Sequence, residues 1–339
     1  MEIVQGDIQA LEFHDGQSTA GRTMLKYKIW RLLGLMILVY ILCKIDWTQM
    51  ASVLKRTELL WIIIAMLINI PQLWFKSTRW QSLLFMQGKT IRNGEAFLLY
   101  VSSVYLGVVT PGRLGEFAKA IYLKQERITS VSHGFSSVLV DRLCDLYLLF
   151  LLAMAGLVFL TPWAGAEIFG WTGLAGAMGI PAIFFLSNRT QRFFSWIYQK
   201  VLASKLPESA KEGAEQFVKG MQELMTYRIY GAGLLTLLAW SLFFLQCFLI
   251  AKAIGLPITY MEVIPIMAIT NIFTFLPVSI SGLGTREAAL CFLLLPRGIS
   301  LELILAYSMG VLFVFFIVGG IMGAVAWWVR PLEWQKLRP

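Results

Sequence analysis

The sequence contains few charged residues and little of the side-chain chemistry that common catalytic sites require. Only 14% of its 339 residues are charged, against roughly 25% in a soluble domain. The two histidines form no HExxH pair, and no GxxxxGK[ST] phosphate-binding loop occurs. The four cysteines fall in apolar runs without a CxxC pair. These absences argue against a soluble enzyme, a disulfide framework and ATP hydrolysis, and we expect no metal site and no cofactor.

Apolar residues make up 58% of the chain, and the mean hydropathy is +0.68, which indicates an integral membrane protein. A spanning helix needs about 20 mostly apolar residues. The candidate spans are residues 29–46, 59–76, 133–160, 167–187, 229–253 and 302–329. Two further apolar segments, 95–124 and 261–295, contain charged residues, glycine and proline near their middles. Each is long enough for two short helical limbs, so we expect two helical hairpins.

The two interrupted segments contain similar motifs, TPGRLGE at 110–116 and SGLGTRE at 281–287. An ionisable residue at bilayer depth costs at least about 2.5–3.5 kcal/mol. A broken helix there is tolerated only where protein or a wet cavity satisfies the freed backbone. We predict that the hairpins turn at Pro111-Gly112 and across Pro277–Gly284. The hairpin-breaking residues are then Pro111, Gly112, Gly115, Pro277, Gly282 and Gly284.

The distribution of lysine and arginine predicts the orientation of the chain. With a cytoplasmic N-terminus, twenty basic residues, Lys76 and Arg79 among them, fall on the cytoplasmic side and five fall outside. This split requires both hairpins to return to the side from which they entered. The units at about 59–160 and about 229–329, each helix–hairpin–helix, then point in opposite directions. Such an inverted repeat places the two hairpin tips near the midplane.

The predicted fold class is therefore an all-α polytopic membrane protein, a helical bundle with two inverted helix–hairpin–helix repeats. We expect a polar cytoplasmic tail at 1–28, a membrane domain at 29–330 and a second cytoplasmic tail at 331–339, in a cell (inner) membrane. The net charge of +9 follows mostly from this topology, and no basic patch alternates with exposed aromatics as in nucleic-acid binding.

The segment 188–228 is amphipathic, with apolar residues at helical spacing and basic and acidic residues on its other faces. One interpretation is an interfacial cytoplasmic helix on anionic headgroups. The alternative is a segment that packs against its own membrane domain.

The two motifs combine Arg113 with Glu116 and Arg286 with Glu287. A guanidinium presents a planar set of donors that suits phosphate oxygens and stays charged when buried. Both arginines are predicted to bind an anionic headgroup in a midplane cavity. The structural alternative is that each arginine pairs with the neighbouring glutamate and pins its hairpin.

The apolar run 135–159 contains Asp141, Arg142 and Asp145 on adjoining faces of a helix. Arg142 is a further candidate for headgroup binding. The two carboxylates either couple transport to protons or clamp this helix to the first hairpin, as buried charges usually pair. Lys119 is either a second phosphate contact or a residue that snorkels to the interface.

Three stretches together are similar to a known family: TPGRLGEFAKAIYL (110–123), SSVLVDRLCDLYLLFLL (136–152) and PVSISGLGTREAAL (277–290). They resemble the membrane module of bacterial lysylphosphatidylglycerol synthases, within a broader flippase-like membrane family, and the resemblance spans about 29–330. It implies movement of an anionic or aminoacylated phospholipid between leaflets. The positions that match and carry this role are Arg113, Glu116, Arg142, Asp145, Arg286 and Glu287.

The sequence departs from that family in two respects. Asp141-Arg142 stands where relatives commonly have Glu-Arg, and no aminoacyltransferase sequence follows the membrane module, so the synthase activity is not implied. Other relatives are linked to polyprenyl-linked sugar assembly, which leaves the lipid open.

Three functions fit these observations. The first is a non-enzymatic lipid transporter for an anionic phospholipid, an aminoacylated phospholipid or a polyprenyl-phosphate-linked lipid. The second is a non-catalytic accessory to a separately encoded glycosyltransferase or aminoacyltransferase. The third is an enzyme acting on a lipid phosphate, for which the sequence contains no DxxDG…D array and no SxxxxxH pairing.

Overall fold

The computed structural model describes residues 47–108, 110, 113–160, 168, 170–176, 208–226, 228–275 and 282–329. Within these ranges the chain is helical and contains no strand. Several predictions fall on residues outside them: the span 29–46, most of the span 167–187, both terminal tails, and Pro111, Gly112 and Pro277 among the hairpin-breaking residues.

The helices of the first part of the chain are α1 (Trp47–Arg56), α2 (Leu59–Met86), α3 (Asn93–Val108), α4 (Ala118–Gln125) and α5 (Val131–Leu160). Those of the second part are α6 (Glu208–Leu224), α7 (Ile229–Ala253), α8 (Tyr260–Phe275), α9 (Thr285–Leu294), α10 (Leu301–Leu312) and α11 (Gly319–Val329). A π-helical turn, Phe313–Val318, joins α10 to α11 into one continuous helical stretch.

Three of the described helical stretches are long and apolar enough to cross a membrane: Leu59–Met86, Ile229–Ala253 and Leu301–Val329. All three coincide with predicted spans. Many of their large apolar side chains face outward, including Leu67, Leu234 and Ile321. Exposed apolar surface of this extent is typical of a protein whose solvent is lipid. The chain is therefore an all-α integral membrane protein.

Helix α2 is longer than predicted, and this corrects the assignment of two basic residues. The predicted span ended at residue 76, which placed Lys76 and Arg79 in a cytoplasmic loop. The helix instead continues to Met86, and Arg79 is fully buried. It continues because Leu83 and Leu84 also face the core and extend the apolar face by two turns. Without these two residues, eighteen basic residues remain on the predicted cytoplasmic side and five on the outer side.

Both segments predicted as hairpins are interrupted helices. We call residues 93–125 the first broken segment and residues 260–294 the second broken segment. In the first, α3 ends at Val108 and a 3-10 turn, Leu114–Phe117, leads into α4. In the second, α8 ends at Phe275 and α9 begins at Thr285. The two limbs of each segment pack against each other.

Each broken segment packs against a helix from the other half of the chain. Helix α2 packs along α7, the last helix α11 packs on α3, and α5 packs on α8. Glycines allow the contacts of α11 with α3 and of α5 with α8. Gly323 lies against the backbone of Val101, and Gly156 lies against Pro265. The first broken segment thus packs on α11, and the second packs on α5.

Helix α6 (Glu208–Leu224), which lies in the amphipathic segment, packs against α5. Met221 and Leu224 are buried beside Leu83 and Val140. His133 Nε2 lies 2.8 Å from Glu223 Oε2. The apolar side of α6 therefore faces the protein's own membrane domain, which is the second of the two interpretations offered for this segment.

Candidate functional site

A cavity of about 70 Å³ lies where both broken segments meet α2 and α5. Its charged lining consists of Lys76, Arg113, Glu116, Arg142 and Arg286. Apolar side chains such as Val104, Phe243 and Phe315 complete the wall. The structure thus brings Arg113, Glu116, Arg142 and Arg286, four of the predicted headgroup-binding residues, to one chamber.

Arg113 lies at the break of the first segment. Its backbone is left-handed, with φ of 57°, a conformation in which non-glycine residues are uncommon. The side chain is 28% exposed, and its Nη1 lies 4.0 Å from Glu116 Oε1. That distance exceeds a hydrogen bond, so the predicted Arg113–Glu116 pair is a loose ion pair.

Glu116 makes its closer contact with a different helix. Its Oε2 pairs with Arg142 Nη2 on α5, and both residues are buried. Arg142 Nε is also buried and has no hydrogen-bond partner among the described residues. One donor of the Arg142 fork is therefore unused in a residue that lines the cavity.

The first broken segment folds tightly at this point because of Gly115. A Cβ atom at Gly115 would lie 2.8 Å from the backbone nitrogen of Gly107 and closer still to the Leu106 carbonyl. Thr110 Oγ1 accepts a hydrogen bond of 2.7 Å from the Gly115 N–H. A residue with a side chain would push the turn away from α3 and displace Glu116.

Next to the cavity lies a cluster of buried ion pairs. Arg79 Nε donates to Asp141 Oδ1 at 2.8 Å, and Arg79 Nη1 donates to Asp145 Oδ1 at 2.6 Å. Lys119 Nζ donates to the other oxygen of Asp141 at 2.6 Å. Arg79, Lys119, Asp141 and Asp145 are all buried. This cluster joins α2, the first broken segment and α5.

Asp145 connects that cluster to the cavity wall. It accepts a hydrogen bond of 2.8 Å from Trp240 Nε1 on α7. Lys76 Nζ, which lines the cavity, lies 3.7 Å from Asp145 Oδ2 and 4.6 Å from the centre of the Trp240 ring. The carboxylate and the ring face both stabilise a charged ammonium at this position.

The arginine and the glutamate of the second broken segment form a direct ion pair. Arg286 Nη2 donates to Glu287 Oε1 at 2.8 Å, and Arg286 Nε donates to Ser308 Oγ on α10 at the same distance. The other Glu287 oxygen accepts the Gly284 N–H at 2.6 Å. Gly284 has φ of +84°, which favours glycine. Gly282, at +76°, has the same handedness.

For the two motifs, we considered headgroup binding in a cavity and internal ion pairs as alternatives, and the structure has features of both. Arg286 and Glu287 pair directly, as the structural interpretation expects, whereas Arg113 reaches the cavity. Asp141 clamps α5 to the first broken segment through Lys119. Lys119 neither snorkels nor lines the cavity: it is buried, it pairs with Asp141, and its ammonium lies 4.2 Å from the centre of the Tyr100 ring.

The sequence analysis missed Lys76 and Arg79. Their position at the end of an apolar run is typical of the cytoplasmic end of a span, and they were assigned accordingly. The signal that could have located them is the renewed apolar run just after them, at residues 83–86. A cation followed by further apolar turns predicts a continued helix.

The three cysteines among the described residues, Cys144, Cys247 and Cys291, are free thiols. No group of three potential metal ligands occurs in the part of the chain that the structure describes.

Sequence comparison identifies relatives of this chain in archaea. A UPF0104 membrane protein of Methanothermobacter thermautotrophicus is 24% identical over 282 residues, covering 77% of this chain and 82% of the relative. One of Methanocaldococcus jannaschii is 22% identical over 287 residues, covering 79% and 85%. One of Pyrococcus horikoshii is 19% identical over 303 residues, covering 82% and 89%.

The sequence pattern of a protein family matches residues 29–323, which is most of the chain. The matched range includes the cavity, the buried charge cluster and both broken segments. The chain therefore belongs to the family of the lysylphosphatidylglycerol synthase TM region.

Proposed function

We propose that this protein moves a lipid with an anionic headgroup between the leaflets of a cell (inner) membrane, with both termini in the cytoplasm. The observation that carries the proposal is the lining of the cavity. Four cations, Lys76, Arg113, Arg142 and Arg286, face one carboxylate, Glu116, in a chamber built by both broken segments. Lys76 and Arg286 also have carboxylate partners behind the wall, Asp145 and Glu287, but the wall itself presents more cations than carboxylates, which favours an anion as the ligand.

The packing of the helices supports an inverted repeat. The contact of α3 with α11 has its counterpart in the contact of α8 with α5, and α2 packs along α7 at the centre. Two units related by a two-fold axis in the membrane plane would produce this exchange. In transporters of that kind, substrates bind near the midplane, between the repeats, at broken helices.

The wall of the cavity suits an amphipathic substrate. The cations would hold the headgroup, while the apolar residues Val104, Phe243 and Phe315 would contact the first carbons of its chains. A guanidinium or an ammonium can exchange water for phosphate oxygens without any covalent step. The proposed reaction is therefore translocation alone, and Asp141 and Asp145 act as partners of Arg79 and not as acids or bases.

The test is lipid movement by the purified protein in liposomes. Fluorescent label on an acyl chain leaves the headgroup intact, and external dithionite bleaches only label that reaches the outer leaflet. We expect loss of the protected signal for phosphatidylglycerol, and slower loss for phosphatidylcholine. The measurement is made with and without a pH gradient, because coupling to protons would make the rate depend on it.

Protein-free liposomes and liposomes with an unrelated helical membrane protein are the controls. If the folded, inserted protein moved neither lipid under any gradient, the proposal would be wrong. The accessory function would then gain support, and the next experiment would be co-purification with a glycosyltransferase or an aminoacyltransferase.

A further inference from the structure

We propose that the cavity also recognises hydroxyl groups that the headgroup carries beyond its phosphate, and that Gln72 and Tyr100 bind them. This inference rests on the proposed function and narrows its substrate class to lipids whose headgroup is a phosphate ester of a polyol. It follows from the neutral polar side chains of the cavity wall, whose hydrogen-bonding groups a phosphate alone does not satisfy.

Two buried side chains of the wall have hydrogen-bonding groups that the protein leaves unused. Gln72 on α2 is 5% exposed and Tyr100 on α3 is 1% exposed, and both line the cavity. Among the described residues, neither the Gln72 amide nor the Tyr100 hydroxyl has a hydrogen-bond partner. Most buried polar side-chain atoms in folded proteins have one. A ligand in the cavity can supply a partner to both side chains.

Two asparagines add hydrogen-bond acceptors to the same wall. Asn69 Nδ2 donates to the backbone carbonyls of Met66 and Val314, both at 3.1 Å. Asn271 Nδ2 donates to the Met267 carbonyl at 2.7 Å. These bonds fix the orientation of both amides. The two amide oxygens have no hydrogen-bond partner within the described ranges, so they remain acceptors.

Acceptors in the wall require a donor on the ligand. An ionised phosphodiester has only acceptor oxygens, which suit the guanidinium groups of the wall but not the amide oxygens of Asn69 and Asn271. A hydroxyl group donates one hydrogen bond and accepts others. It can therefore donate to an amide oxygen and accept from the Gln72 amide or the Tyr100 hydroxyl. A headgroup with both a phosphate and hydroxyl groups satisfies both kinds of wall residue.

The neutral side chains and the guanidinium groups come from the same elements. Tyr100 and Arg113 belong to the first broken segment, and Asn271 and Arg286 belong to the second. They line one cavity of about 70 Å³. A single headgroup in a space of this size contacts both sets of groups, so a phosphate held by the arginines places its ester substituent beside the neutral side chains.

An ammonium group also donates hydrogen bonds but fits this cavity less well. Three guanidinium groups, those of Arg113, Arg142 and Arg286, line the chamber, and like charges placed together in a desolvated site are unfavourable. The one carboxylate of the described lining, Glu116, pairs with Arg142. A hydroxyl group supplies the donor without adding a positive charge.

The transport arm of the test compares two lipids of equal charge. Acyl-labelled phosphatidylglycerol and phosphatidylpropanol are both phosphodiesters with one negative charge, and they differ only in the hydroxyl groups of the headgroup. We expect phosphatidylglycerol to cross about tenfold faster or more, because the hydrogen bonds to the hydroxyl groups are lost in the other lipid. Equal rates would overturn the inference and leave lipid transport intact.

The binding arm separates a lipid site from a site for a soluble polyol phosphate. The thermal unfolding temperature of the detergent-solubilised protein is measured with short-chain phosphatidylglycerol, short-chain phosphatidylpropanol and glycerol phosphate. Ligands that bind the native state raise this temperature, and we expect the largest rise with phosphatidylglycerol. Equal rises with the two lipids would contradict the recognition of hydroxyl groups. An equal rise with glycerol phosphate would show a site for the soluble ester and overturn the lipid class.

Two variants connect the preference to the proposed residues. Tyr100→Phe removes only the hydroxyl and keeps the ring that lies 4.2 Å from Lys119 Nζ. Gln72→Leu removes the amide at similar size. Each should reduce the preference for phosphatidylglycerol over phosphatidylpropanol by about threefold or more, the effect of one neutral hydrogen bond. Tyr230→Phe, which removes a hydroxyl at a position 70% exposed, is the matched control and should leave the preference unchanged.

The ratio of the two rates within each variant distinguishes recognition from a structural role, because a general loss of activity lowers both rates alike. The unfolding temperature of Gln72→Leu should be no lower than that of the wild type, since the change removes a buried polar group without a partner. An unchanged preference in folded Tyr100→Phe and Gln72→Leu would overturn the inference. No movement of either lipid by folded wild type would overturn the proposed function, while the binding arm still tests the recognition of hydroxyl groups.

Discussion

The two broken segments have similar motifs but different surroundings. In the second, Arg286 donates to Glu287 Oε1 and to Ser308 Oγ at 2.8 Å, and Ser308 Oγ donates to the same Glu287 oxygen. In the first, Glu116 pairs with Arg142 on another helix, and Arg113 stays partly exposed at 4.0 Å from Glu116. The glutamate of the second motif thus pairs with the arginine of its own motif, whereas the glutamate of the first pairs more closely with an arginine on α5.

The unequal distribution of charge extends to the rest of the described core. Among the described residues, ten charged side chains are buried or line the cavity, and eight of them lie in residues 59–160: Lys76, Arg79, Arg113, Glu116, Lys119, Asp141, Arg142 and Asp145. The unit at 229–329 contributes Arg286 and Glu287. The charged side chains of the described core are therefore concentrated in residues 59–160. Four variants, in order of decreasing effect on stability, test this difference.

Arg79→Gln should destabilise the protein most. It leaves Asp141 with Lys119 alone and removes the shortest contact of Asp145, so two buried carboxylates lose a partner. Breaking a buried pair costs about 3–5 kcal/mol, and we expect the upper end here. Thermal unfolding in detergent measures the loss, with Arg228→Gln as the control. A stability equal to that of the wild type would show that the cluster contributes little to folding.

Arg286→Gln should cost less, about 3 kcal/mol. Only Glu287 loses its partner, and it keeps the hydrogen bonds from Ser308 and from the Gly284 N–H. The double variant Arg286→Gln/Glu287→Gln removes both charges and should recover part of the loss. The same unfolding measurement applies. A double variant less stable than Arg286→Gln would contradict a simple ion pair at this position.

Gly115→Ala should destabilise by about 1–3 kcal/mol, the usual cost of overpacking. The added methyl group would collide with the Leu106 carbonyl, and the shift of the turn would move Glu116 away from Arg142. Gly231→Ala is the matched control, because a Cβ atom at that position meets no neighbour within 4 Å. Equal unfolding temperatures for the two variants would contradict the tight turn.

Arg113→Gln should change stability by less than about 1 kcal/mol, because a partly exposed, loose ion pair contributes little. The prediction is therefore a folded protein with the unfolding temperature of Arg228→Gln. This variant gives the sharpest contrast with Arg286→Gln, which removes the same group from the other segment. A large loss of stability in Arg113→Gln would show that both motifs are anchors.

Much of the fold could be predicted from the sequence. Spans of about 20 apolar residues at 59–76, 133–160, 229–253 and 302–329 coincide with helices, although α2 extends ten residues beyond its prediction. Both interrupted segments were located, because glycine, proline and charge in an apolar run are rare. In the structure, the first break lies between Val108 and Leu114, and the second lies between Phe275 and Thr285.

The partners of the buried charges could not be predicted in the same way. Arg79 and Asp141 are 62 residues apart in the chain, and only the packing of α2 against α5 brings them together. Glu116 has Arg113 as a near neighbour in sequence but pairs more closely with Arg142. A single sequence gives the spacing along one helix, whereas ion pairs between helices depend on how the helices cross.

The most direct test of the central claim is the rate at which phosphatidylglycerol changes leaflet in liposomes containing Arg113→Gln. Wild type and Arg228→Gln, reconstituted at the same density and with the same unfolding temperature, provide the reference rates. The account predicts that Arg113→Gln slows movement by about tenfold or more, since it removes the most accessible cation of the cavity. A rate equal to the references in a folded Arg113→Gln protein would contradict the claim that the headgroup binds at the first broken segment.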